Sequence, residues 1–266
     1  MEDMSASSET ILEGLDDAQM SAVTALDGPV RIIAGAGAGK TRTVTRRIAY
    51  ACARGDWDAR KVLAVTFSVK AAAEMRARLQ TLGVGDDVTA ATFHSAALQQ
   101  LRRVWDDIFE TPLLHVTSDQ RETVERAIRR VTNAADIDAQ QVRDVRAEIN
   151  WTKVSLVAPD DYPRVCSATH RQPPAELDPQ RFADVITAYE WEKTVRGQID
   201  FDDILLLMCH VMDDYEELAA SIRSSIGWLT VDEYQDVSPL QHRLMTLWLG
   251  NNRNVCVVGD PAQTIY

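Results

Sequence analysis

The sequence has no hydrophobic run long enough to cross a bilayer, and it does not begin like a secreted protein. Its longest apolar stretch is Ile204–Cys209, whereas a membrane-spanning helix needs about 20 apolar residues. Residues 1–11 are acidic and rich in serine, with no basic segment that would open a signal peptide. These absences favour a cytoplasmic protein that has no membrane partner.

Cysteine is scarce, and positive charge is outweighed by negative charge. The 4 cysteines are widely spaced and form no C-x-x-C pair, which argues against structural zinc and suits a reducing compartment. The 28 lysine and arginine residues face 40 acidic ones, for a net charge of −12. Over the whole chain this charge disfavours nucleic acid as a partner, although a local cleft can still be basic. With 45% hydrophobic residues among 266, the chain is long enough for one large core or two smaller ones.

A loop rich in glycine and alanine, Ala34–Gly39, is the strongest feature that the sequence does contain. The segment Val30–Ile33 reads as a short strand that leads into the loop, and Lys40 and Thr41 follow it at the start of a helical pattern. Such a loop turns successive backbone N–H groups toward one anion, and the helix adds the positive end of its dipole. Lys40 is then expected to contact the outer phosphates of a nucleotide and Thr41 to ligate magnesium. The strict pattern has glycine where this chain has Ala34, and a plain tight turn is the competing interpretation.

Strand and helix patterns alternate on both sides of a long helical region. Strand-like runs occur at 30–33, 61–67, 88–92, 228–231 and 254–258. Their alternation with helical patterns predicts an α/β fold with a parallel sheet. Between residues 96 and 227 the apolar residues follow helical spacing with almost no strand signal. We therefore predict a sheet domain over 15–95 and 228–266, a helical insertion over 96–227, and a disordered lead-in over 1–14.

Two acidic residues, Asp232 and Glu233, directly follow the apolar run at 228–231. Asp232 at the tip of a strand can hold Mg²⁺, and Glu233 can orient and deprotonate an attacking water. Paired acids after a strand are otherwise common as solvated strand ends or helix N-caps. The presence of Lys40 upstream favours the catalytic interpretation, because metal-assisted phosphoryl transfer needs both parts.

Seven segments of the chain together resemble the UvrD/Rep/PcrA superfamily-one DNA helicases. They are Gln19, A-G-A-G-A-G-K-T-R at 34–42, T-F-S-V-K-A-A-A-E-M at 66–75, T-F-H-S at 92–95, D-F-D-D at 200–203, V-D-E-Y-Q-D at 231–236 and V-V-G-D-P-A-Q-T-I-Y at 257–266. Their order and spacing match the family across all but the first dozen residues. Within the family, the last segment is most similar to a UvrD paralogue of actinobacteria. The resemblance implies a P-loop NTPase (RecA-like) domain with a helical insertion subdomain.

The resemblance gives single residues a role in ATP binding and hydrolysis. It implies that Gln19 reads the adenine, that Arg42 packs beside the nucleotide, and that Glu233 is the general base. Gln235 and Gln263 are implied as sensors of the γ-phosphate. The implied catalytic residues are thus Lys40, Glu233, Gln235 and Gln263. The implied nucleotide-binding residues are Gln19, Ala34, Gly35, Ala36, Gly37, Ala38, Gly39, Lys40, Thr41 and Arg42. The implied metal ligands are Thr41 and Asp232. Without the motif, Gln19 is a solvated helix residue.

The resemblance also implies contacts to single-stranded DNA, at Phe67, Thr92, His94 and Tyr266. Stacking of bases on aromatic side chains there is worth about 1–3 kcal/mol per base and is indifferent to sequence. Without the motif, Phe67 is equally well explained as a core aromatic at a strand end. Val69 stands where the family usually has asparagine, which puts one polar contact to DNA in question. The acidic segment 200–203 is interpreted as structural, mainly as helix capping.

The activity that the resemblance implies is that of an ATP-driven 3′-to-5′ DNA helicase or translocase in repair or replication, with ATP and Mg²⁺ as cofactors. Single-stranded DNA and single-strand/duplex junctions are the implied partners, together with a second RecA-like domain after residue 266. The helicase half of a helicase–nuclease is one alternative. Another is a nucleotide-gated DNA-binding module that does not unwind, although the presence of Lys40, Thr41, Asp232 and Glu233 argues against a switch that cannot hydrolyse ATP.

Overall fold

The computed structural model describes residues 8–35 and 37–263 of the chain. Two of the predicted site residues, Ala36 and Tyr266, lie outside the described residues. The chain divides into two compact units. The sheet unit contains the residues up to Gln100, His210–Val237 and the residues from Leu244 onward, and the helical unit contains Leu101–Cys209 and Ser238–Arg243.

Strands and helices alternate as the sequence pattern predicts, with two short strands that the pattern does not predict. In the described residues the strands are β1 (Val30–Ile33), β2 (Val62–Thr66), β3 (Thr89–Thr92), β4 (His115–Val116), β5 (Gln198–Ile199), β6 (Trp228–Val231) and β7 (Val255–Gly259). The helices are α1 (Ser8–Leu12), α2 (Asp17–Thr24), α3 (Lys40–Ala53), α4 (Val69–Thr81), α5 (Phe93–Ile108), α6 (Arg121–Thr132), α7 (Ala139–Val154), α8 (Tyr162–Thr169), α9 (Pro179–Val195), α10 (Asp203–Asp214), α11 (Glu216–Ser224) and α12 (Pro239–Leu249).

Five strands form one parallel sheet in the order β1-β7-β6-β2-β3. β2, near the middle, is buried along its whole length, as expected of a parallel strand covered on both faces. The core beside it includes Ile48 of α3 and Met75 of α4, both fully buried. The sheet confirms the predicted parallel α/β fold, and β1 and β6 have the predicted bounds.

The prediction of a disordered lead-in over residues 1–14 is wrong for the part that the structure describes. Ser8–Leu12 forms α1, and Ile11 is fully buried. The guanidinium of Arg46 on α3 donates hydrogen bonds to the carbonyls of Ile11 and Glu13. The segment is ordered by these tertiary contacts, which leave no local signal in its polar sequence.

The predicted helical insertion also extends too far along the chain. Residues 210–227 belong to the sheet unit rather than to the insertion. The Gly227 N–H donates to the Lys61 carbonyl at 2.8 Å, and the Asn252 side chain donates to the carbonyls of Ile226 and Gly227. These bonds hold the segment between α11 and β6 beside the residues that precede β2 and β7. The apolar spacing of α11 itself resembles that of any amphipathic helix, so it gives no sign of this.

The helical unit packs α6, α7, α8 and α9 around a core of its own. Tyr162, Phe182 and Tyr189 are fully buried in that core. β4 and β5 pair in parallel, with His115 opposite Gln198, and so tie the start of the unit to its return segment. Within the described part of the chain, every helix is too short or too polar to cross a membrane.

A buried ionic cluster lies where α10 begins. The fully buried Asp200 carboxylate accepts hydrogen bonds from Lys153 Nζ at 2.5 Å, from Lys193 Nζ at 2.9 Å and from the Tyr189 hydroxyl at 2.9 Å. Asp203 pairs with the same two lysines, and its N–H donates to Asp200 Oδ1. Burial raises the pKa of Asp200, but the two ammonium groups outweigh burial and bring that pKa below its ordinary value. Residues 200–203 are therefore structural, as predicted, with charge pairing in addition to capping.

Candidate functional site

The predicted nucleotide residues meet at the carboxyl edge of the parallel sheet. β1 leads into the glycine-rich loop, β6 into Asp232 and β7 into Asp260. Because Ile33 pairs with Gly259, and because β7 also pairs with β6, these three loops leave the sheet side by side. Open α/β sheets bind ligands at such an edge.

The glycine-rich loop ends on Gly39, the N-cap of α3. Gly39 has a φ of 79°, in the left-handed region that residues with a Cβ rarely adopt. A Cβ at this position would also meet the Gln19 amide nitrogen at 3.2 Å. Helix α3 therefore begins at Lys40 with the positive end of its dipole at the loop, the arrangement that binds phosphate.

A cavity of about 520 Å³ lies between α2 and the glycine-rich loop. Its lining includes Gln19, Ala34 and Ala38, and Gln19 Nε2 donates to the Ala38 carbonyl at 3.2 Å. Gln19 Oε1 accepts from the backbone N–H of Asp16, which completes a capping box at the start of α2. Gln19 thus lies beside the loop, where the resemblance implies an adenine contact, while part of its hydrogen-bonding capacity serves the helix start.

Lys40 and Glu233 form an ion pair across the site, with 3.3 Å between Lys40 Nζ and Glu233 Oε2. The Lys40 side chain is 9% exposed and that of Glu233 is 35% exposed. Glu233 has a φ of 52°, a left-handed conformation that costs on the order of 1–3 kcal/mol in a residue with a side chain. Its N–H donates to Asp232 Oδ1 at 3.0 Å. The surroundings therefore hold a strained backbone that brings the Glu233 carboxylate to Lys40.

Thr41 and Asp232 bring two oxygen ligands together. The Thr41 hydroxyl donates to Asp232 Oδ2 at 3.5 Å, and Asp232 is buried. Burial, and then the neighbouring charge of Glu233, raises the pKa of Asp232 above its ordinary value. Hydroxyl and carboxylate oxygens with a local excess of negative charge suit Mg²⁺, so the residues present fit the metal that the resemblance implies.

Gln235 connects the loops that follow β6 and β7. Its Nε2 donates to Glu233 Oε2 at 2.8 Å and to Asp236 Oδ2 at 3.3 Å, and its Oε1 accepts from the Asp260 backbone N–H at 3.0 Å. Gly259 packs so closely against this side chain that a Cβ built on it would lie 2.4 Å from Gln235 Oε1. Gly259 is absent from the predicted site residues, although it lies in the segment 257–266 that carries the family resemblance.

The other predicted nucleotide residues take varied places. Arg42 donates through Nη2 to the Gly14 carbonyl at 2.9 Å, which engages it with the segment before α2. Gly35 and Gly37 lie in the loop itself, and Gln263 ends the short 3-10 turn Pro261–Gln263. The structure thus brings together the described parts of the loop and five of the predicted residues, Lys40, Thr41, Asp232, Glu233 and Gln235. Arg42 instead contacts the segment before α2.

The predicted DNA residues Phe67, Thr92 and His94 lie at or just after the carboxyl ends of β2 and β3. This is the same end of the sheet as the nucleotide residues, but the two strands on the other side of β6 carry them. Thr66 pairs with Thr92, so Phe67 and His94, both half-buried, follow neighbouring strand ends. Thr92 is buried, its hydroxyl donates to Ser95 Oγ at 2.9 Å, and it accepts from the Ser95 N–H. The structure therefore brings Phe67 and His94 to one edge but uses the Thr92 side chain at the start of α5.

Comparison with known proteins decides the family. Residues 15–266 match the UvrD/REP helicase N-terminal domain. The chain belongs to this family. The ATP-dependent DNA helicase UvrD2 of Mycobacterium tuberculosis (strain ATCC 25618 / H37Rv) is 42% identical over 275 residues, which cover 99% of this chain and 38% of the relative. The ATP-dependent DNA helicase PcrA of Bacillus subtilis (strain 168) is 32% identical over 265 residues, which cover 97% of this chain and 34% of the relative.

Membership of the UvrD/REP family confirms two predictions, the helicase resemblance and the RecA-like P-loop fold. The identity to UvrD2 also agrees with the similarity of residues 257–266 to an actinobacterial paralogue. The chain spans little more than a third of the length of these relatives. The roles of single residues stay predictions.

Proposed function

We propose that this chain is the ATP-binding portion of an ATP-dependent DNA helicase that moves 3′ to 5′ and acts in repair or replication. The observation that carries the proposal is the grouping of Lys40, Thr41, Asp232 and Glu233 within hydrogen-bond or ion-pair reach at one end of the sheet. The relatives' names, ATP-dependent DNA helicase UvrD2 and PcrA, support the same activity for the whole protein. Single-stranded DNA, strand junctions and a second RecA-like domain are its proposed partners.

In this proposal the glycine-rich loop and the start of α3 bind the phosphates of ATP, and the cavity beside Gln19 receives the base. Lys40 leaves Glu233 and contacts the outer phosphates, because an anion of higher charge competes for the same ammonium group. Thr41 and Asp232 hold Mg²⁺, which when bound neutralises charge on the β- and γ-phosphate oxygens. Glu233, released from Lys40, then orients the attacking water and accepts its proton.

Replacing Lys40 tests the nucleotide site. Lys40→Ala deletes the cation that the loop directs at the phosphates, and a hydrogen bond to a charged group is worth about 1.5–3 kcal/mol. We therefore expect the affinity for a non-hydrolysable Mg-ATP analogue to fall by roughly 10- to 150-fold or to be lost. The measurement is isothermal titration calorimetry, with Lys61→Ala, an exposed lysine before β2, as the matched control. Unchanged affinity in Lys40→Ala would show that the loop is a plain turn.

Replacing Phe67 tests the DNA edge. Phe67→Ala removes one stacking surface worth about 1–3 kcal/mol, so the affinity for oligo-dT should fall by roughly 5- to 150-fold. Binding of the unmodified chain should also weaken steeply with added salt, because the remaining affinity comes from phosphate contacts. Fluorescence anisotropy measures both effects, and Phe201→Ala, an exposed aromatic of the helical unit, is the control. Equal binding by Phe67→Ala and the unmodified chain would remove Phe67 from the DNA site.

A further inference from the structure

The Gln235 side chain links the proposed base, Glu233, to the backbone at the end of the neighbouring strand β7, and it fits there because residue 259 is glycine. We propose that Gln235 is a positioning residue for Glu233, and that Gly259 is required because it leaves room for the Gln235 side chain. The inference rests on the proposed function, in which Glu233 is the general base. It gives Gln235 a role other than the γ-phosphate contact that the family resemblance implies. It also gives a role to Gly259, which lies in the segment 257–266 but to which the resemblance assigns none.

Both ends of the Gln235 amide are engaged with fixed partners. Nε2 donates to Glu233 Oε2 at 2.8 Å, and Oε1 accepts from the Asp260 N–H at 3.0 Å. The opposite orientation of the amide would place two donors against each other at Asp260 and two acceptors against each other at Glu233. The hydrogen-bond network therefore determines the orientation of the amide, and its plane is anchored to the backbone after β7.

The contact on Glu233 is selective for one carboxylate oxygen. Glu233 Oε2 forms the ion pair with Lys40 Nζ at 3.3 Å and accepts the hydrogen bond from Gln235 Nε2 at 2.8 Å. Among the described residues, Glu233 Oε1 has no hydrogen-bond partner. When phosphates draw Lys40 away, Gln235 remains as a donor to Oε2. The Glu233 side chain then keeps its orientation, with Oε1 open to a water molecule.

Space, not backbone conformation, makes glycine necessary at position 259. Gly259 is the last residue of β7 and pairs with Ile33, and its φ lies outside the left-handed region. A Cβ would nevertheless lie 2.4 Å from Gln235 Oε1 and 3.3 Å from the backbone nitrogens of Tyr234 and Gln235. Because a real Cβ does not come this close, an alanine at position 259 must displace the Gln235 amide from Asp260 and Glu233.

The inference makes two different substitutions equivalent. In the whole protein, Gln235→Ala and Gly259→Ala should each lower the kcat of ATP hydrolysis by roughly 10- to 100-fold, since a misplacement of about 1 Å can have an effect of this size. The affinity for a non-hydrolysable Mg-ATP analogue should not change. The double variant should lose no more kcat than either single variant, because both remove the same contact.

Thermal unfolding of this chain gives a readout that does not depend on activity. Gly259→Ala should lower the Tm when glutamine is present at position 235. It should lower the Tm less in a Gln235→Ala background, where the obstructing amide is gone and only the 3.3 Å backbone contacts remain. Gly227→Ala is the matched control, because its Cβ would be 3.2 Å from Lys61 Cβ at the other end of the sheet. It should leave kcat unchanged.

Three results would overturn the inference. The first is a Gln235→Ala variant with unchanged kcat, and the second is a double variant whose losses add. The third is weakened affinity of the Gln235→Ala variant for the analogue, whatever its kcat, which would make Gln235 a phosphate contact. Failure of the proposed function is a separate result, because Lys40→Ala and Glu233→Gln would then hydrolyse ATP at the full rate.

Discussion

The chain by itself is expected to bind Mg-ATP but to hydrolyse it at a rate close to background, with little stimulation by DNA and no unwinding. Phosphoryl transfer depends mainly on positioning and on charge compensation at the γ-phosphate. Lys40 supplies one cation at the described site, whereas Arg42 is engaged with the Gly14 carbonyl. An arginine supplied from elsewhere is worth roughly 10³–10⁵ in rate in related sites, which corresponds to about 4–7 kcal/mol of barrier.

The measurement is phosphate release from the purified chain, with and without the proposed second RecA-like domain added in trans. Addition of that domain should restore part of the turnover, and Glu233→Gln should remove the gain. Glu217→Gln, an exposed acid on α11, serves as the control and should keep it. Strong DNA-stimulated hydrolysis by the chain alone would contradict the prediction, and it would show that the site is completed in another way, such as by self-association.

The second large effect is expected on stability. Asp200→Asn should lower the free energy of unfolding of the helical unit by about 3–5 kcal/mol, since it removes the one fully buried carboxylate of the cluster and leaves the two ammonium groups with only Asp203 and the partly exposed Glu190. Lys153 and Lys193 are 7% and 3% exposed, so water cannot replace the lost partner. Urea unfolding followed by tryptophan fluorescence measures the change, and Asp184→Asn, an exposed acid on α9, is the control. A loss no larger than that of the control would contradict the prediction.

The pH dependence of this difference follows from the directions of the pKa shifts. The pKa of Asp200 is lowered, so its contribution is present above the unfolded value of about 3.9 and is lost at lower pH. Burial lowers the pKa of Lys153, but Asp200, Glu190 and Asp203 outweigh burial and raise it. The lysine contribution is therefore present below about 10.4 and is lost only at higher pH. The difference between Asp200→Asn and the unmodified chain should stay constant from about pH 5 to about pH 10 and shrink outside that range.

The end of the sheet at which the nucleotide residues lie could be predicted, because it follows from the parallel direction of the strands. Lys40 lies after β1 and Glu233 after β6, and parallel strands bring their carboxyl ends to one edge. The bounds of these two strands were also predictable, since each is a short apolar run that a polar or glycine-rich segment ends. Local sequence was sufficient wherever the structure depends on spacing and on strand direction.

Three of the contacts that the sequence does not predict join residues distant in the chain. Ile11 is buried because Arg46 holds its segment against α3, and nothing in the segment itself signals this. β4 and β5 are too short to give a periodic signal, and each forms only because the other is present. Gln235 meets Gly259 because β7 lies beside β6, and the order of strands in a sheet cannot be read from their individual patterns.

The position of β1 at the edge of the sheet has a consequence for synthesis on the ribosome. Among the described strands β1 pairs with β7, so that Val30 lies opposite Cys256. β1, which leads into the glycine-rich loop, therefore cannot pair with β7 until residues 255–259 have left the ribosome. The residues of the helical unit have left the ribosome before then. Contacts between such distant residues form slowly, and an unpaired strand edge is a site of misassociation in the meantime. A nascent chain should therefore acquire the ability to retain ATP only when β7 emerges, and it should depend most on chaperones just before that point.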